Sequence, residues 1–515
     1  MLDRRLPPGV RIAALALLLV LLSIAAGCGS ESSSSTSAPG PDPASVAPPG
    51  AIAYAEATVR PQGDVRDGAV AAARKVLRIE DPGAELRRLL DKSTSGDTRF
   101  SRDVEPWLGP RVGGFLLMPG RGASDPDFGL ALPIADRGAF EAAQAHLRSG
   151  QHKAGSYRGV AYDVDDKDPT LYGADLGDFY VGGSLAGLRA AIDAARGGSL
   201  ADAPRYTDAV DAVPDDALAF AYADPKAIAA AVDRARNAPP AARRFFARYR
   251  DADPVVASLT ANADEIALEA TGPSQPAATP SSDADVTVGQ LPGDAWLALA
   301  TPPIGPLVES ALDSSGVHDE AAAQVRADLG LDLDRDLLQP LGGLGVFARG
   351  ESPLDLGGGV LLQLTDAAAA QRLLTRIQTV VAASSDVLVQ PASGAGARGF
   401  QAQIPQSPQP IVVLAKGDRL AAGYAASSAQ DLLEPQQRFD ASSTGKAAIA
   451  TLGDGYQPSL VVIVPPIVSL LRALDELQVA DLAPAIPYVD AYRSLALGTK
   501  RDGDRMTVRV VAALR

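Results

Sequence analysis

The sequence predicts an α+β fold built from two tandem repeats of one unit, each a largely antiparallel sheet covered by helices. Three observations predict it. Landmarks of the first half recur in the second half in the same order, displaced by about 230 to 243 residues. Short apolar strands arrive as neighbours separated by tight turns, which favours antiparallel pairing over a doubly wound parallel sheet. Single Ala- and Leu-rich helical segments, at 136–149, 184–196 and 225–250, interrupt the strands and are available to cover an exposed sheet face. Composition agrees. The 515 residues are enough for two or three domains. A chain that is 46% hydrophobic and 21% charged is globular, and 49 Gly with 40 Pro against 5% aromatics means many turns around an Ala, Leu and Val core. A formal charge of −15 excludes broad nucleic-acid binding, because an acidic surface repels phosphate at long range.

The elements follow in order. Pro49-Gly50-Ala51-Ile52-Ala53-Tyr54 opens the first copy as a turn running into a strand, and Pro292-Gly293-Asp294-Ala295-Trp296-Leu297 opens the second. Arg102-Asp103-Val104 with Leu108-Gly109 matches Arg335-Asp336-Leu337 with Leu341-Gly342. Each precedes a Gly-rich apolar strand, Val112 to Met118 and Leu344 to Ala348. The next strands, Phe128 to Ile134 and Gly359 to Leu364, run into Asp136 and Asp366. An Asp there accepts from the first free helical N–H groups, so a helix start has a cause. Arg158-Gly159-Val160 matches Arg398-Gly399-Phe400, and Gly177-Asp178 matches Gly417-Asp418 as a turn within a strand pair. Leu218 to Tyr222 matches Leu460 to Val464, and each copy closes with a hairpin. The expected boundaries are repeat units at 48–271 and 288–515, with 272–287 as a linker.

At the N-terminus, Arg4, Arg5 and Arg11 precede an apolar run from Ile12 to Ala26, too short for a comfortable bilayer span but suited to a secretory signal. The run ends Ile24-Ala25-Ala26-Gly27-Cys28, and Cys28 is the one cysteine of the chain. Small residues before a Cys, directly after such a run, resemble the bacterial lipoprotein signal. The resemblance implies that residues 1–27 are removed and that Cys28 carries a diacylglycerol and usually an N-acyl chain, palmitate being the expected acid. Such chains, at about 0.8 kcal/mol per buried CH₂, anchor a protein stably without a spanning helix. Arg4-Arg5 hints at twin-arginine export, but the strongly apolar run and Pro7-Pro8 favour the general secretory route. Residues 28–47, dominated by Ser, Pro and Gly, read as a tether.

The landmarks together resemble the actinobacterial DUF3352 domain family, whose function is unknown. The carrying residues are Asp103-Val104-Glu105-Pro106-Trp107-Leu108-Gly109, the strand–Asp–helix segment Leu130 to His146, Tyr157-Arg158-Gly159-Val160 and Gly177-Asp178-Phe179-Tyr180-Val181-Gly182. Ser199-Leu200-Ala201-Asp202 and Pro214-Asp215-Asp216-Ala217-Leu218-Ala219 continue the pattern. In the second half the Pro-Trp-Leu-Gly segment is reduced to Pro340-Leu341-Gly342. The resemblance implies an envelope location and carries no reaction and no catalytic residues.

The chemistry-bearing residues are few. His146 lies in an Ala-rich helix, His152 in a turn and His318 beside Asp319-Glu320. None sits in a nucleophile motif, and no G-x-S-x-G occurs. No Cys or His pair has ligand spacing. Asp163-Val164-Asp165-Asp166-Lys167-Asp168 alternates like a calcium loop but lacks the glycine at position six and has Ala174 at position twelve. Asp332-Leu333-Asp334-Arg335-Asp336 reads as a solvated turn or helix cap, and no phosphate loop is present. Neither a metal nor a cofactor is expected. One patch breaks the acidic background: Arg243, Arg244, Arg248 and Arg250 flank Phe245, Phe246 and Tyr249. Its aromatics either pack on the sheet, with the arginines paired to carboxylates, or the segment meets anionic headgroups or an acidic envelope polymer.

The expectation is a non-enzymatic, lipid-anchored binding or structural module of the cell envelope, held on the outer face of the cytoplasmic membrane through acylated Cys28. Its protein or polymer partner is unspecified and no nucleic acid is involved. A carrier of a hydrophobic ligand is the alternative, and a carboxylate-dependent hydrolase comes third.

Overall fold

The computed structural model describes residues 40–93, 99–118, 126–147, 154–164, 170–235, 238–274, 286–329, 332–384, 386–405 and 407–515. The chain divides into two compact units, 1–273 and 274–515. Cys28, the signal region, His152, Asp165 to Asp168 and residues 275–285 lie outside the described residues.

The N-terminal unit contains β1 (Ala53–Thr58), β2 (Arg111–Leu117), β3 (Asp127–Pro133), β4 (Ala154–Tyr157), β5 (Val160–Val164), β6 (Tyr172–Asp175), β7 (Phe179–Gly183), β8 (Ala219–Ala223), β9 (Val255–Ala261) and β10 (Glu265–Pro273). Every pairing is antiparallel, and the spatial order is β4-β5-β6-β7-β3-β2-β1-β8-β9-β10. The C-terminal unit contains β11 (Leu297–Thr301), β12 (Leu341–Arg349), β13 (Gly357–Leu364), β14 (Leu388–Gly394), β15 (Ala397–Gln403), β16 (Ile411–Lys416), β17 (Arg419–Tyr424), β18 (Gln457–Ile463), β19 (Tyr492–Asp502) and β20 (Arg505–Leu514). It too is antiparallel throughout, in the order β14-β15-β16-β17-β13-β12-β11-β18-β19-β20.

Helices cover both faces of the N-terminal sheet. On one face Tyr54, Phe115 and Val181 pack with Leu188 and Ile192 of the helix Leu185–Gly197, which Ser184 caps by accepting from the Gly187 N–H. On the other, Trp107, Val112 and Phe140 pack together, Phe140 coming from the helix Arg137–Leu147. Asp136 starts that helix by accepting from the Ala139 N–H at 2.9 Å, and Asp366 does the same for Ala369 at 2.7 Å. The latter starts the helix Ala367–Ala382, whose Ala370 and Leu374 pack on Phe400, Val413 and Leu420. Trp107 is buried, stacks edge-on against Phe140 with centroids 5.1 Å apart, and donates its indole N–H to the Asp103 carbonyl. The tryptophan motif is therefore a core plug with its polar tip satisfied.

Four sequence expectations change. The tether does not run to residue 47. Pro43–Val46 forms a 3₁₀ turn capped by Asp42, and Ala44, Val46 and Ala47 are buried against the sheet. These side chains are small enough to lie flat on it, so a Ser/Pro-rich composition does not keep them out. The linker is shorter than 272–287: Gly272 and Pro273 finish β10, and Val286 and Val288 are buried. The helix expected over 225–250 is broken into Pro225–Arg234 and Pro240–Ala247, because Pro239-Pro240 cannot continue a helix. Finally, Arg158-Gly159 is not matched by Arg398-Gly399. The β4–β5 turn holds Arg158 and Gly159 at φ 48° and 79°, and the β14–β15 turn holds Ala395 and Gly396 at 52° and 71°. The two-residue hairpin turn demands a positive φ at both positions and so sets the correspondence. Gly399 lies inside β15 instead, where a side chain would strike the Val413 carbonyl.

Candidate functional site: where the tether meets the fold

The segment 40–47 reaches the sheet beside a buried polar cluster. Glu56 of β1 is 6% exposed. One of its carboxylate oxygens accepts from the Tyr54 hydroxyl at 2.7 Å, and the other accepts from the Arg111 guanidinium of β2 at 3.1 Å. Arg111 donates a further bond to the Gly40 carbonyl at 3.1 Å, while its Nε has no partner. Leu200 closes the other end of the segment, its N–H donating to the Ala47 carbonyl. Pro43 lies against Gly113, which faces Glu56 across β1 and β2. Tyr206 and Tyr222 extend the cluster, stacked edge-on at 5.2 Å, with Tyr206 also 5.6 Å from Tyr54.

Burial dominates the electrostatics. It raises the Glu56 carboxyl above its ordinary value, against the lowering pull of Arg111 and of the Tyr54 hydrogen bond. The Tyr54 phenol is raised well above its ordinary value by burial and then by Glu56. Tyr222 is pushed up to about 12, mainly by burial. The cluster lies beneath the 40–47 segment, and Arg111 holds that segment down through the Gly40 carbonyl.

The C-terminal unit shows that the fold does not require these groups. Tyr54 stands opposite Phe115 and Tyr222, whereas Ala298 stands opposite Phe347 and Val461. Glu56 stands opposite Gly113 and Ala300 opposite Gly345, which faces Val286 and Leu291 instead of Pro43. One architecture is thus filled once by a Tyr–Glu–Arg network and once by apolar side chains. Since apolar packing commonly matches or exceeds a buried ion pair in stability, the network needs a reason other than stability.

The residues singled out from the sequence take other places. Arg250 pairs with Asp233 at 2.9 Å. Arg243 donates to the Ala235 carbonyl, and Arg248 donates to the Phe245 carbonyl and stacks over the Phe245 ring at 4.6 Å. Phe245 is 44% exposed, and Arg244 and Arg248 have no ion pair among the described residues. This helical pair follows β8 and so sits at the Ala53 end of β1, while Gly40 sits at the Arg111 end. Arg102 chelates Asp103, which also accepts from the Arg99 N–H; Arg335 and Asp336 repeat the arrangement, with Asp336 accepting from the Asp332 N–H. These arginines lower both carboxyls, Asp336 to about 2, and their geometry is that of a turn lock. His146 contacts Arg102, and His318 pairs with Asp334, which raises the imidazole. Asp332 caps the turn Leu333–Leu338 through the Arg335 N–H. Among the described residues no group of three or more His, Cys, Asp or Glu side chains is arranged to hold a metal, and no helix is long and apolar enough to cross a membrane.

Sequence reasoning did not find the Tyr54–Glu56–Arg111 cluster. Glu56 and Arg111 are joined by strand register alone. The available signal was a charged residue inside an otherwise apolar strand, Ala53 to Ala57.

The structure thus defines an α+β protein of antiparallel sheets whose N-terminal connection is clamped into the fold. The chain belongs to the family described as protein of unknown function (DUF3352), which it matches over residues 11–513. No curated protein matches it. Among solved structures, crystal forms I, III and IV of TP0453 align at 12–14% identity, over 45–46% of this chain and 80–81% of theirs, with TM-scores of 0.24–0.25. Scores at that level support no argument about this chain.

Proposed function

We propose that this protein is a non-enzymatic, lipid-anchored module of the bacterial cell envelope. In this reading acylated Cys28 holds it on the outer face of the cytoplasmic membrane, and two copies of one α+β unit form its body. The observation that carries the reading is the clamped segment 40–47. A Cys28 anchor would be followed by only 11 residues before Gly40, and the fold grips the chain there through Arg111. Such a leash spans about 40 Å at most. The identical strand order of the two units supports the duplication. Cys28→Ala should abolish incorporation of a fatty-acid analogue and block lipoprotein-type cleavage. Unchanged labelling of that variant would overturn the anchor.

The carrier reading has less support. An open groove of about 430 Å³ in the N-terminal unit has, among the described residues, five charged side chains in its lining, Arg87, Arg88, Asp91, Lys92 and Arg99, which gives an apolar ligand no dedicated pocket there. A second contact has an observation behind it: Phe245 is exposed, and among the described residues Arg244 and Arg248 have no carboxylate partner. Because this helical pair lies at the end of β1 away from Gly40, an acidic envelope polymer suits it better than the protein's own membrane. Retention on an immobilised polyanion should fall when Arg243, Arg244, Arg248 and Arg250 become Gln. Equal retention would rule the contact out.

A further inference from the structure

The charged groove lies close to the tether. The helices Gly63–Leu77 and Pro82–Ser93 connect β1 to β2. The second helix presents Arg87, Arg88, Asp91 and Lys92 to a groove closed by Arg99 and Ser101. Among the described residues, four cations therefore share it with one lining carboxylate, and Asp91 is already engaged by the Ser101 N–H and hydroxyl, both at 2.8 Å. Arg87 pairs at 3.5 Å with Glu105 and Arg88 with Glu85, while Lys92 and Arg99 have no ion pair among the described residues. Leu89, on the same helix, is 52% exposed.

A short chain of contacts joins this groove to the tether root. Gly40 packs beside Pro110, the Pro110 carbonyl accepts from the Arg60 N–H, the Arg60 guanidinium donates to the Glu105 carbonyl, and Glu105 pairs with Arg87. The C-terminal unit supplies the comparison. Its helices Ile304–Ser315 and His318–Leu329, which connect β11 to β12, carry five Asp and Glu against Arg326 alone. The same strand connection in the C-terminal unit is made by an acidic helix pair, so the connection itself does not require these cations.

We propose that the groove lined by Arg87, Arg88, Lys92 and Arg99 binds the phosphate-bearing headgroups of anionic lipid, with Leu89 entering the interface beside them. The site's proximity to a membrane rests on the anchored reading above, whereas its chemistry does not. Guanidinium and ammonium groups converging on an open groove suit a phosphodiester, and arginine forks match its oxygens in pairs. The net charge of −15 opposes such docking only at long range. At about 0.1 M salt the Debye length is about 10 Å, so the groove acts on a nearby headgroup while most of the acidic surface is screened.

Vesicle co-sedimentation tests the proposal with the chain from Gly29 onward, which keeps every described residue and lacks Cys28. This form should bind phosphatidylglycerol-containing vesicles at about 0.1 M salt, ignore pure phosphatidylcholine, and release at about 1 M salt. Replacing Arg88, Lys92 and Arg99 by Gln should lower the partition coefficient roughly 100-fold. The charge-keeping variants Lys92→Arg and Arg99→Lys should retain binding, which separates loss of charge from loss of fold. Replacing Arg243, Arg244, Arg248 and Arg250 by Gln should leave vesicle binding in place. Indifference of the wild type to lipid charge, or equal binding by the Gln variant of the groove, overturns the proposal. So does binding to soluble polyphosphate as tight as to vesicles, which would assign the groove to a polymer. Cys28 takes no part in the assay, so failure of the anchor and failure of the groove give different results.

Discussion

Glu56 is the residue on which the N-terminal unit departs furthest from ordinary packing. Buried with Tyr54 and Arg111, and with Asp42 and Tyr206 acting on the same cluster, it favours its protonated form more than the unfolded chain does. Above its ordinary value of 4.5 the unfolded state has given up a proton that the native state still holds. Stability contributed by this group is therefore present at lower pH and lost as pH rises through the raised native value. Urea midpoints measured across pH should show that decline in the wild type, and Glu56→Gln should flatten it, because the amide cannot ionise yet still accepts a hydrogen bond. Parallel declines in both proteins would mean that Glu56 does not titrate as described. Asp103 and Asp336 work in the opposite sense: their lowered values give stability above the ordinary carboxylate range that disappears on acidification.

At the level of elements, the hairpin turns hold neighbouring strands in register. Gly159 sits at φ 79° in open space, whereas Gly399 lies in a strand with the Val413 carbonyl where its side chain would be. Valine should destabilise both sites, by about 1–2 kcal/mol through left-handed strain at 159 and by about 1–3 kcal/mol through overpacking at 399. Asparagine should separate them. It tolerates the left-handed region and should be mild at 159, but it still collides at 399. Equal thermal shifts for the two Asn variants would contradict this. The same pair shows what local sequence can convey. Asp136 and Asp366 announced their helices because a cap acts within a few residues, whereas Trp107 packs on Phe140, 33 residues away. The Arg-Gly dipeptide at 398 misled, because it matches the turn at 158 in letters and not in backbone.

For the whole molecule, the antiparallel α+β class is legible because short apolar strands arrive as neighbours with tight turns between them. Such signals do not reveal what fills the space above the sheet. The burial of Ala44, Val46 and Ala47 depends on Tyr54, Phe115 and Leu188, which come from three distant elements. The network at Glu56 depends on a pairing across 55 residues. Such features come from tertiary register, and no window of the chain contains them. Comparing the two units brings the network out: at the positions where the C-terminal unit has Ala298 and Ala300, paired with Phe347 and Gly345, the N-terminal unit has Tyr54 and Glu56, paired with Phe115 and Gly113.

The clamp on Gly40 also has a mechanical meaning. In an anchored chain, any drag on the body is borne by the leash and enters the fold at the Gly40 carbonyl. The load would pass first to the Arg111 guanidinium, then through Glu56 into the middle strands of the sheet, where β1 is bonded on both sides. The first bond loaded under such tension is therefore the one from Arg111 to the Gly40 carbonyl, ahead of the sheet itself. Tugging would peel residues 40–47 from the sheet before it unravelled a strand, letting the leash lengthen while the body stayed whole.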